Sequence, residues 1–304
     1  MIKLGLIDLC TSHCEAWLPL LREMEGVEVT AVADTGGCRP PDFVKEYAEK
    51  FGIPHVCADA EEVAELTDAG IVWSANWGFH LPHARPYLER GKPVFIDKPA
   101  VGNLRELNEL LYLQARHGSL VMTGSSCRYA YEVQELIARR EEIGEVITVW
   151  AQGPGDFFSY GIHTVEMFQG YLGPGARFVR HVGAQGDTDV FLCQYTEGPA
   201  VFYQLGSPHR TWRLLLNSAS GLHEATLDPS RIYQALIEKF VAAIREGTPP
   251  WPLEAQLECI KIALAARIAR REGGDIYLSD LPEAEYFDAG PFWAEYARMR
   301  QCGK

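Results

Sequence analysis

Lys98 is the cation best placed to do chemistry in this sequence. It follows the apolar run PVFI and Asp97, and Pro99 comes directly after it. The pattern predicts an ammonium group at the carboxyl end of a buried strand, where open α/β sheets bind their ligands. The alternative interpretation is an exposed lysine in a turn before a helix.

His163 lies in the segment YGIHTVEMF, where a glycine precedes a predicted helix. Imidazole suits acid–base chemistry because its unperturbed pKa of about 6.5 is close to the operating pH. Glu166 follows one helical turn later and can orient His163 or contact substrate. The alternatives are a partly buried histidine bonded to backbone, and a His-x-x-Glu metal site. Two ligands are weak evidence for a metal, so we predict none.

Composition restricts the class of protein that carries these residues. With 304 residues, of which 47% are hydrophobic and 23% charged, the chain is expected to form two domains. The net charge of -13, without a long basic stretch, argues against nucleic acid and favours a small polar substrate. The sequence has no apolar run of about 18 residues and no signal-peptide pattern, so we expect a cytoplasmic protein without a membrane span. The eight cysteines are scattered without a CxxC pair, which is typical of reduced thiols.

Two different patterns divide the chain near residue 124. Residues 1–123 alternate short apolar runs with amphipathic stretches in βαβα order, which predicts a doubly wound parallel sheet. After Gly124 a helix, a strand and several alternating strands between residues 176 and 226 predict an antiparallel sheet. Helical periodicity returns in IYQALIEKFVAAIREG and LEAQLECIKIALAARIARREGG. The expected fold class is therefore α/β, with domains at 1–123 and 124–304, the second carrying an open, mostly antiparallel sheet.

Three segments in order carry a resemblance to a known family: WSANWGFHLPHARPYLERG, GKPVFIDKPAVGNLRELNELL and YGIHTVEMFQGYLG. Together with FVAAIREGTPP they resemble the glucose-fructose oxidoreductase and inositol dehydrogenase family, Gfo/Idh/MocA, over nearly the whole chain. The resemblance implies a Rossmann-like dinucleotide-binding domain joined to a substrate and oligomerisation domain. It also implies homodimers or homotetramers that pair through the open sheet.

The resemblance assigns roles to the reactive residues. It implies an NAD(P)-dependent oxidoreductase that acts on a sugar, cyclitol or related polyol, with Lys98 and His163 catalytic. Asp97 stands where the family usually has Glu, and its carboxylate could orient Lys98 or, with Lys98, meet the cofactor. A family Asp two residues before the glycine of the histidine segment is here Ser159, for which Asp156 could substitute. The implied substrate-binding residues are Arg128, Tyr129, Asp156, Ser159, His163 and Glu166; for Arg128 an interdomain salt bridge is the alternative.

The amino terminus departs from the family because GxGxxG is absent between the first strand and helix. Asp8, Cys10 and His13 occupy the three glycine positions. Asp8 would repel a phosphate unless it is protonated or turned away, whereas Thr11 and Ser12 could offer hydroxyl donors to a phosphate at the helix N-terminus. The alternative is that DLCTSH caps the helix or shapes a substrate pocket.

Two further loops would contact the cofactor. Asp34 ends the second predicted strand and matches the acidic residue that binds the adenosine ribose, which favours NAD over NADP, although Arg39 leaves an opening for a 2′-phosphate. Asp34 is also compatible with an ordinary turn. Asn76, Trp77 and His80 occupy the third βα connection, where the family has its nicotinamide-side contacts; Trp77 could instead be a core or interface residue.

Three hypotheses for function follow. The first is an NAD-dependent dehydrogenase of a polyol or sugar. The second is a non-redox sugar-binding or regulatory relative that lost standard dinucleotide binding, which the residues at the altered glycine positions and Ser159 favour. The third, ranked lower, is lyase or metal-assisted chemistry that uses His163 and Glu166.

Overall fold

Two compact units make up the chain in the computed structural model, which describes residues 1–155 and 157–301. The first unit comprises residues 1–123, 237–253 and the segment from Asp288 onward, and the second comprises 124–236 and 254–287. The sequence pattern assigned the two later segments of the first unit to the second domain. A helical pattern indicates which face of the helix is apolar but not which sheet covers it.

The first unit contains the predicted parallel sheet. Its six strands, in the spatial order β3-β2-β1-β4-β5-β6, are all parallel. The strands are β1 (Ile2–Ile7), β2 (Val27–Ala33), β3 (His55–Val56), β4 (Ala69–Val72), β5 (Val94–Ile96) and β6 (Val121–Thr123). Chain order reverses between β1 and β4, so the carboxyl ends of these two strands border the crevice in which such sheets bind ligands.

Helices connect these strands, as the βαβα pattern predicted. They are α1 (His13–Glu23), α2 (Phe43–Phe51), α3 (Ala60–Leu66), α4 (His80–Glu89) and α5 (Leu104–His117), with a 3₁₀ turn at Trp77–Phe79. Side-chain caps set some of the boundaries: Asn103 accepts from the Glu106 N–H at 2.9 Å and starts α5. The Gly52 backbone is left-handed and ends α2.

The second unit is built on a seven-stranded open sheet with the order β12-β11-β7-β10-β9-β8-β13. Every neighbouring pair is antiparallel except β7 and β10. The strands are β7 (Val146–Pro154), β8 (Ala176–Gln185), β9 (Thr188–Tyr195), β10 (Ala200–Ser207), β11 (Arg213–Ser218), β12 (Gly221–Thr226) and β13 (Asp275–Tyr277). The prediction of an open, mostly antiparallel sheet is therefore confirmed.

The buried helix α9 (Gly161–Leu172) packs on this sheet, and Gly161–Tyr171 are all buried. The other helices are α6 (Ser126–Tyr129), α7 (Tyr131–Ala138), α8 (Arg140–Ile143), α10 (Ile232–Glu246), α11 (Leu253–Glu272) and α12 (Gly290–Gln301). α12 belongs to the first unit, and α10 and α11 each contribute residues to both units. Within residues 1–155 and 157–301, no helix is long and apolar enough to cross a membrane.

A glycine in β4 allows α4 to pack closely on the first sheet. A Cβ atom at Gly70 would fall well inside van der Waals contact of the Tyr87 ring, and the Tyr87 hydroxyl is hydrogen-bonded to the Thr67 hydroxyl at 2.6 Å. We expect Gly70→Ala to lower the free energy of unfolding by about 1–3 kcal/mol, because a buried ring must move to make room. Urea denaturation measures the change.

The matched control is Gly183→Ala in β8, where a Cβ atom would meet nothing within 4 Å. This variant should unfold at nearly the wild-type urea concentration. Equal losses in the two variants would show that close packing against Tyr87 is not the reason for glycine at position 70.

Candidate active site

Lys98 lies just beyond the carboxyl end of β5, as the sequence predicted. A cis peptide bond joins it to Pro99, and its backbone N–H donates to Asp97 Oδ1 at 2.8 Å. Asp97 is buried, whereas Lys98 is half-buried. The turn after β5 therefore holds a carboxylate inside the protein and leaves part of the lysine accessible at the ligand-binding edge of the sheet.

His13, at the third glycine position, is the partner of Asp97. Its Nδ1–H donates to Asp97 Oδ2 at 2.6 Å, and its ring stacks on Trp17 with 5.0 Å between centroids. Burial alone would raise the pKa of Asp97, but the neighbouring His13, Lys98 and His80 outweigh it and hold that pKa below its usual range. Asp97 is thus an ionised group that links α1 to the turn containing Lys98, a pairing that sequence spacing could not reveal.

Asp8, at the first glycine position, is fully buried and has a left-handed backbone with φ of 65°. Its Oδ1 accepts from the backbone N–H and the hydroxyl of Thr35, both at 3.1 Å. Its Oδ2 accepts from His83 Nδ1–H at 2.7 Å. The carboxylate therefore binds protein donors from the loop after β2 and from α4, and it does not face an open phosphate site.

The loop after β2 is bonded to the loop after β1. Asp34 Oδ1 accepts from the Leu9 N–H at 3.1 Å, and burial together with the nearby Asp8 raises the pKa of Asp34. Arg39 donates from Nε to the Leu9 carbonyl at 2.8 Å and from Nη2 to Glu15 at 3.0 Å. The proposed ribose-binding carboxylate and the guanidinium near it both hold the β1–α1 loop in this structure.

The predicted hydroxyl donors lie at the start of α1. Thr11 is buried, and its hydroxyl accepts from the His13 N–H at 3.3 Å. Ser12 is the exposed N-cap residue and makes no side-chain cap bond. Of the two, Ser12 is the hydroxyl that solvent or a ligand can reach.

The connection after β4 also joins other parts of the first unit. Asn76 Oδ1 accepts from the Gly78 N–H at 3.0 Å. Trp77 is buried, and its ring lies 5.8 Å from that of Phe292 in α12. His80 is fully buried between the Ser74 and Pro99 carbonyls, each 2.9 Å from a ring nitrogen, and burial lowers its pKa. His80 thus braces the turn that contains Lys98.

α12 covers the part of the first unit where the adenosine half of a dinucleotide would bind. A buried cluster joins the loops after β1, β2 and β4 to α12; its members are Cys10, Cys38, Ala75 and Ala297, with Phe292, Trp293 and Tyr296 packed against it. The three loop residues are at most 2% exposed, so a ligand cannot contact them while α12 is docked. In this conformation the residues present do not fit the adenosine half of a dinucleotide.

In the second unit, His163 belongs to a buried polar network. Its Nδ1 is hydrogen-bonded to the Ser125 hydroxyl at 2.5 Å, and its ring meets the edge of Trp212 at 5.4 Å between centroids. Glu166 Oε2 accepts from the Ser125 N–H at 2.7 Å and from Arg128 Nε–H at 2.9 Å. The structure brings together three predicted residues, His163, Glu166 and Arg128.

Ser125 is the member of this network that sequence reasoning missed. Its hydroxyl also accepts from the Cys127 N–H at 3.0 Å, so it caps α6 as well as contacting His163. Gly124 before it has φ of 123°, and a Cβ atom there would collide with the Glu166 carboxylate. The signal in the sequence was the Gly-Ser pair directly before α6, which is typical of a capped turn.

The remaining predicted residues vary in accessibility. Tyr129 and Ser159 are both 2% exposed, and burial raises the pKa of the Tyr129 hydroxyl. Asp156 lies outside the described residues. Among the residues that the structure describes, no group of three or more His, Cys, Asp or Glu side chains is arranged to hold a metal ion.

Known proteins resemble this chain in sequence and in fold. Residues 5–125 match the model of the Gfo/Idh/MocA family, described as an oxidoreductase family with an NAD-binding Rossmann fold. A putative UDP-kanosamine synthase oxidoreductase subunit of Amycolatopsis mediterranei is 28% identical over 206 residues, which is 61% of this chain. The match spans 56% of that relative's own length.

Two solved structures share the fold across both units. A probable dehydrogenase from Thermotoga maritima superposes with a TM-score of 0.83 at 18% identity, covering 92% of this chain and 100% of that one. A scyllo-inositol dehydrogenase from Lactobacillus casei, solved with NAD(H) and scyllo-inositol, superposes with a TM-score of 0.81 at 16% identity and the same coverage. At these identities the likeness establishes the fold.

The buried Arg128–Glu166 pair allows a test that needs no substrate. Both side chains are at most 1% exposed, so Glu166→Gln leaves a guanidinium charge buried without its counter-charge. We expect this variant to lose about 3–5 kcal/mol of unfolding free energy, measured by chemical denaturation.

Glu142→Gln is the matched control, because Glu142 forms an ion pair with Arg139 on the surface. Solvent screens that pair, so its removal should leave the denaturation midpoint unchanged. A Glu166→Gln variant as stable as this control would contradict the proposed importance of the buried pair.

Proposed function

We propose that this chain, whose residues 5–125 match the Gfo/Idh/MocA family of NAD-binding oxidoreductases, is a nicotinamide-dependent dehydrogenase acting on a CH–OH group. The observation that carries the proposal is Lys98, a half-buried cation at the carboxyl edge of the parallel sheet beside the ionised Asp97. When bound, a nicotinamide would exchange hydride with the carbon of a hydroxyl group, and the hydroxyl proton would be lost or gained.

Lys98 supplies electrostatic stabilisation in this proposal. When a hydroxyl is oxidised, negative charge develops on its oxygen before the carbonyl forms, and a fixed ammonium group lowers the energy of that state. Asp97 and its partner His13 fix the turn that presents Lys98. Because Asp97 is bonded to the Lys98 backbone N–H, we assign it a positioning role.

His163 holds the proton in this proposal. Its Nδ1 is hydrogen-bonded to the Ser125 hydroxyl, which orients the imidazole ring that would exchange a proton with the substrate hydroxyl. Glu166 binds the Ser125 N–H and the buried Arg128, so both act on His163 through Ser125. Ser125, Glu166 and Arg128 are therefore proposed as positioning residues.

The proposed substrate is a polyol, cyclitol or sugar. The solved scyllo-inositol dehydrogenase from Lactobacillus casei, which has the same fold, was obtained with such a polyol. For the cofactor we propose NAD, because Asp34 places a carboxylate at the end of β2 and Arg39 is engaged by Glu15.

A second candidate is a non-redox polyol-binding protein. The buried Asp8 and the covered loops after β1, β2 and β4 favour it, since they close the side of the crevice that a dinucleotide would use. In that case a polyol such as scyllo-inositol should raise the melting temperature without a nicotinamide, and no reduced cofactor should form.

We expect isothermal titration to detect NAD binding at or below millimolar concentration. In Lys98→Ala, polyol-dependent formation of reduced cofactor, followed by absorbance with scyllo-inositol as probe, should fall at least a hundredfold, while NAD affinity stays within about threefold, since the cation acts on the developing oxyanion.

Lys45→Ala is the control, because Lys45 is an exposed residue of α2. It should retain wild-type turnover. Equal turnover in Lys98→Ala and the control would refute the role of Lys98, and folded wild-type protein that binds neither NAD nor NADP would refute the dehydrogenase.

We also propose that the protein is a homodimer or homotetramer that pairs through the open sheet. One face of the central strands β9 and β10 is buried, while residues of the other face, such as Val190, Leu192 and Phe202, are half-exposed. Val182 on the neighbouring strand β8 is more than half exposed. Apolar surface of this kind is typical of a protein interface.

Phe202→Glu should therefore shift the sedimentation coefficient to that of a monomer, because a charge would be buried in the interface. Leu66→Glu, at an exposed apolar residue of α3, is the control and should leave the assembly unchanged. Wild-type protein that sediments as a monomer at micromolar concentration would contradict the proposal.

A further inference from the structure

The C-terminal helix α12 lies against the ligand-binding edge of the first sheet. Its aromatic residues Phe292, Trp293 and Tyr296 pack against Cys10 and Cys38, which belong to the loops after β1 and β2. These contacts lie wholly within the first unit. They place α12 over the reversal of strand order that defines the crevice.

Polar contacts fix the position of α12. The Trp293 indole N–H donates to the Gly36 carbonyl at 2.7 Å, and the Gln301 amide donates to the Gly37 carbonyl at 3.3 Å. Both carbonyls belong to the turn that directly follows Asp34. In a dinucleotide fold this turn borders the adenosine ribose, so α12 occupies the adenosine half of the crevice.

Displacement of α12 would expose few fully buried side chains of the helix. Ala297 is the only described α12 residue that is buried, and the three aromatic side chains remain partly exposed. Arg300 reaches Glu15 at 3.5 Å, and Glu15 is a partly exposed partner. Twelve residues form a marginal helix on their own, so undocking need not disturb the rest of the unit.

We propose that α12 and the adenosine half of a dinucleotide compete for the same surface. This inference rests on the proposed function. It explains why the crevice of a parallel sheet like that of the family is covered by a helix. NAD binds the undocked form, so its apparent affinity equals the intrinsic affinity multiplied by the undocked fraction. By the same linkage, bound NAD keeps α12 undocked.

Titration of the full-length protein with NAD tests the competition. Trp293→Ala removes the indole hydrogen bond and the largest α12 contact, so it should bind NAD at least tenfold more tightly, a change of about 1.4 kcal/mol. Met299→Ala is the control, because Met299 is exposed on the same helix. It should bind NAD as the wild type does.

Failure of the competition and failure of the proposed function give different NAD titrations. Equal NAD affinity in Trp293→Ala and wild type overturns the competition and leaves the dehydrogenase standing. Absence of NAD binding in both proteins overturns the two together. Trp293→Phe keeps an aromatic ring without the indole N–H, so its NAD affinity should fall between those of wild type and Trp293→Ala.

Hydrogen exchange on the wild-type protein gives a second measurement that needs no variant. Saturating NAD should increase amide exchange in residues 290–301 and leave exchange in α11 unchanged. Unchanged or slower exchange in α12 with NAD bound would overturn the proposal, because helix and nucleotide would then occupy the crevice together.

Discussion

The buried carboxylate of Asp8 organises the ligand-binding edge of the first sheet. A buried polar group must be hydrogen-bonded, and a non-glycine residue in the left-handed region adds about 1–2 kcal/mol of strain. Three donors from Thr35 and His83 meet the first requirement. Those donors come from the loop after β2 and from α4. Asp8 therefore bonds the loop after β1 to two other connections of the sheet.

A buried carboxylate that is hydrogen-bonded to a basic side chain also lies beside each group of candidate catalytic residues. Asp97 is held ionised by His13 and bonds the Lys98 backbone, and Glu166 is held by Arg128 and bonds Ser125 next to His163. In each case a buried carboxylate accepts a backbone N–H, from Lys98 or from the Ser125 that contacts His163, and so fixes the backbone beside the candidate group. Buried charges of this kind specify one geometry, because any other arrangement leaves a charge without a partner.

The loop between β1 and α1 differs from a glycine-rich phosphate loop because Asp8, Cys10 and His13 occupy the glycine positions. In a glycine-rich loop the backbone N–H groups are available to a pyrophosphate, whereas here the Leu9 N–H is bonded to Asp34. Asp8 and His13 bind other protein groups, and Cys10 packs beneath α12. The chain has therefore exchanged ligand contacts for internal ones at the adenosine half of the crevice, and it has kept Lys98 accessible at the end of β5.

The sequence by itself determined the α/β class, the parallel and antiparallel sheets and the position of Lys98 after β5. These features depend on local periodicity and on which residues directly follow an apolar run. The sequence also identified His163, Glu166 and Arg128 as candidate site residues, but it did not predict the contacts among them.

Only the tertiary structure decided the pairing of Asp97 with His13 and of His163 with Ser125, which join residues 84 and 38 positions apart. Only the tertiary structure, too, placed α12 over the first sheet, through a contact between residues 257 positions apart. Such contacts form only where the fold brings distant segments side by side. The spacing of residues along the chain does not specify which segments these are.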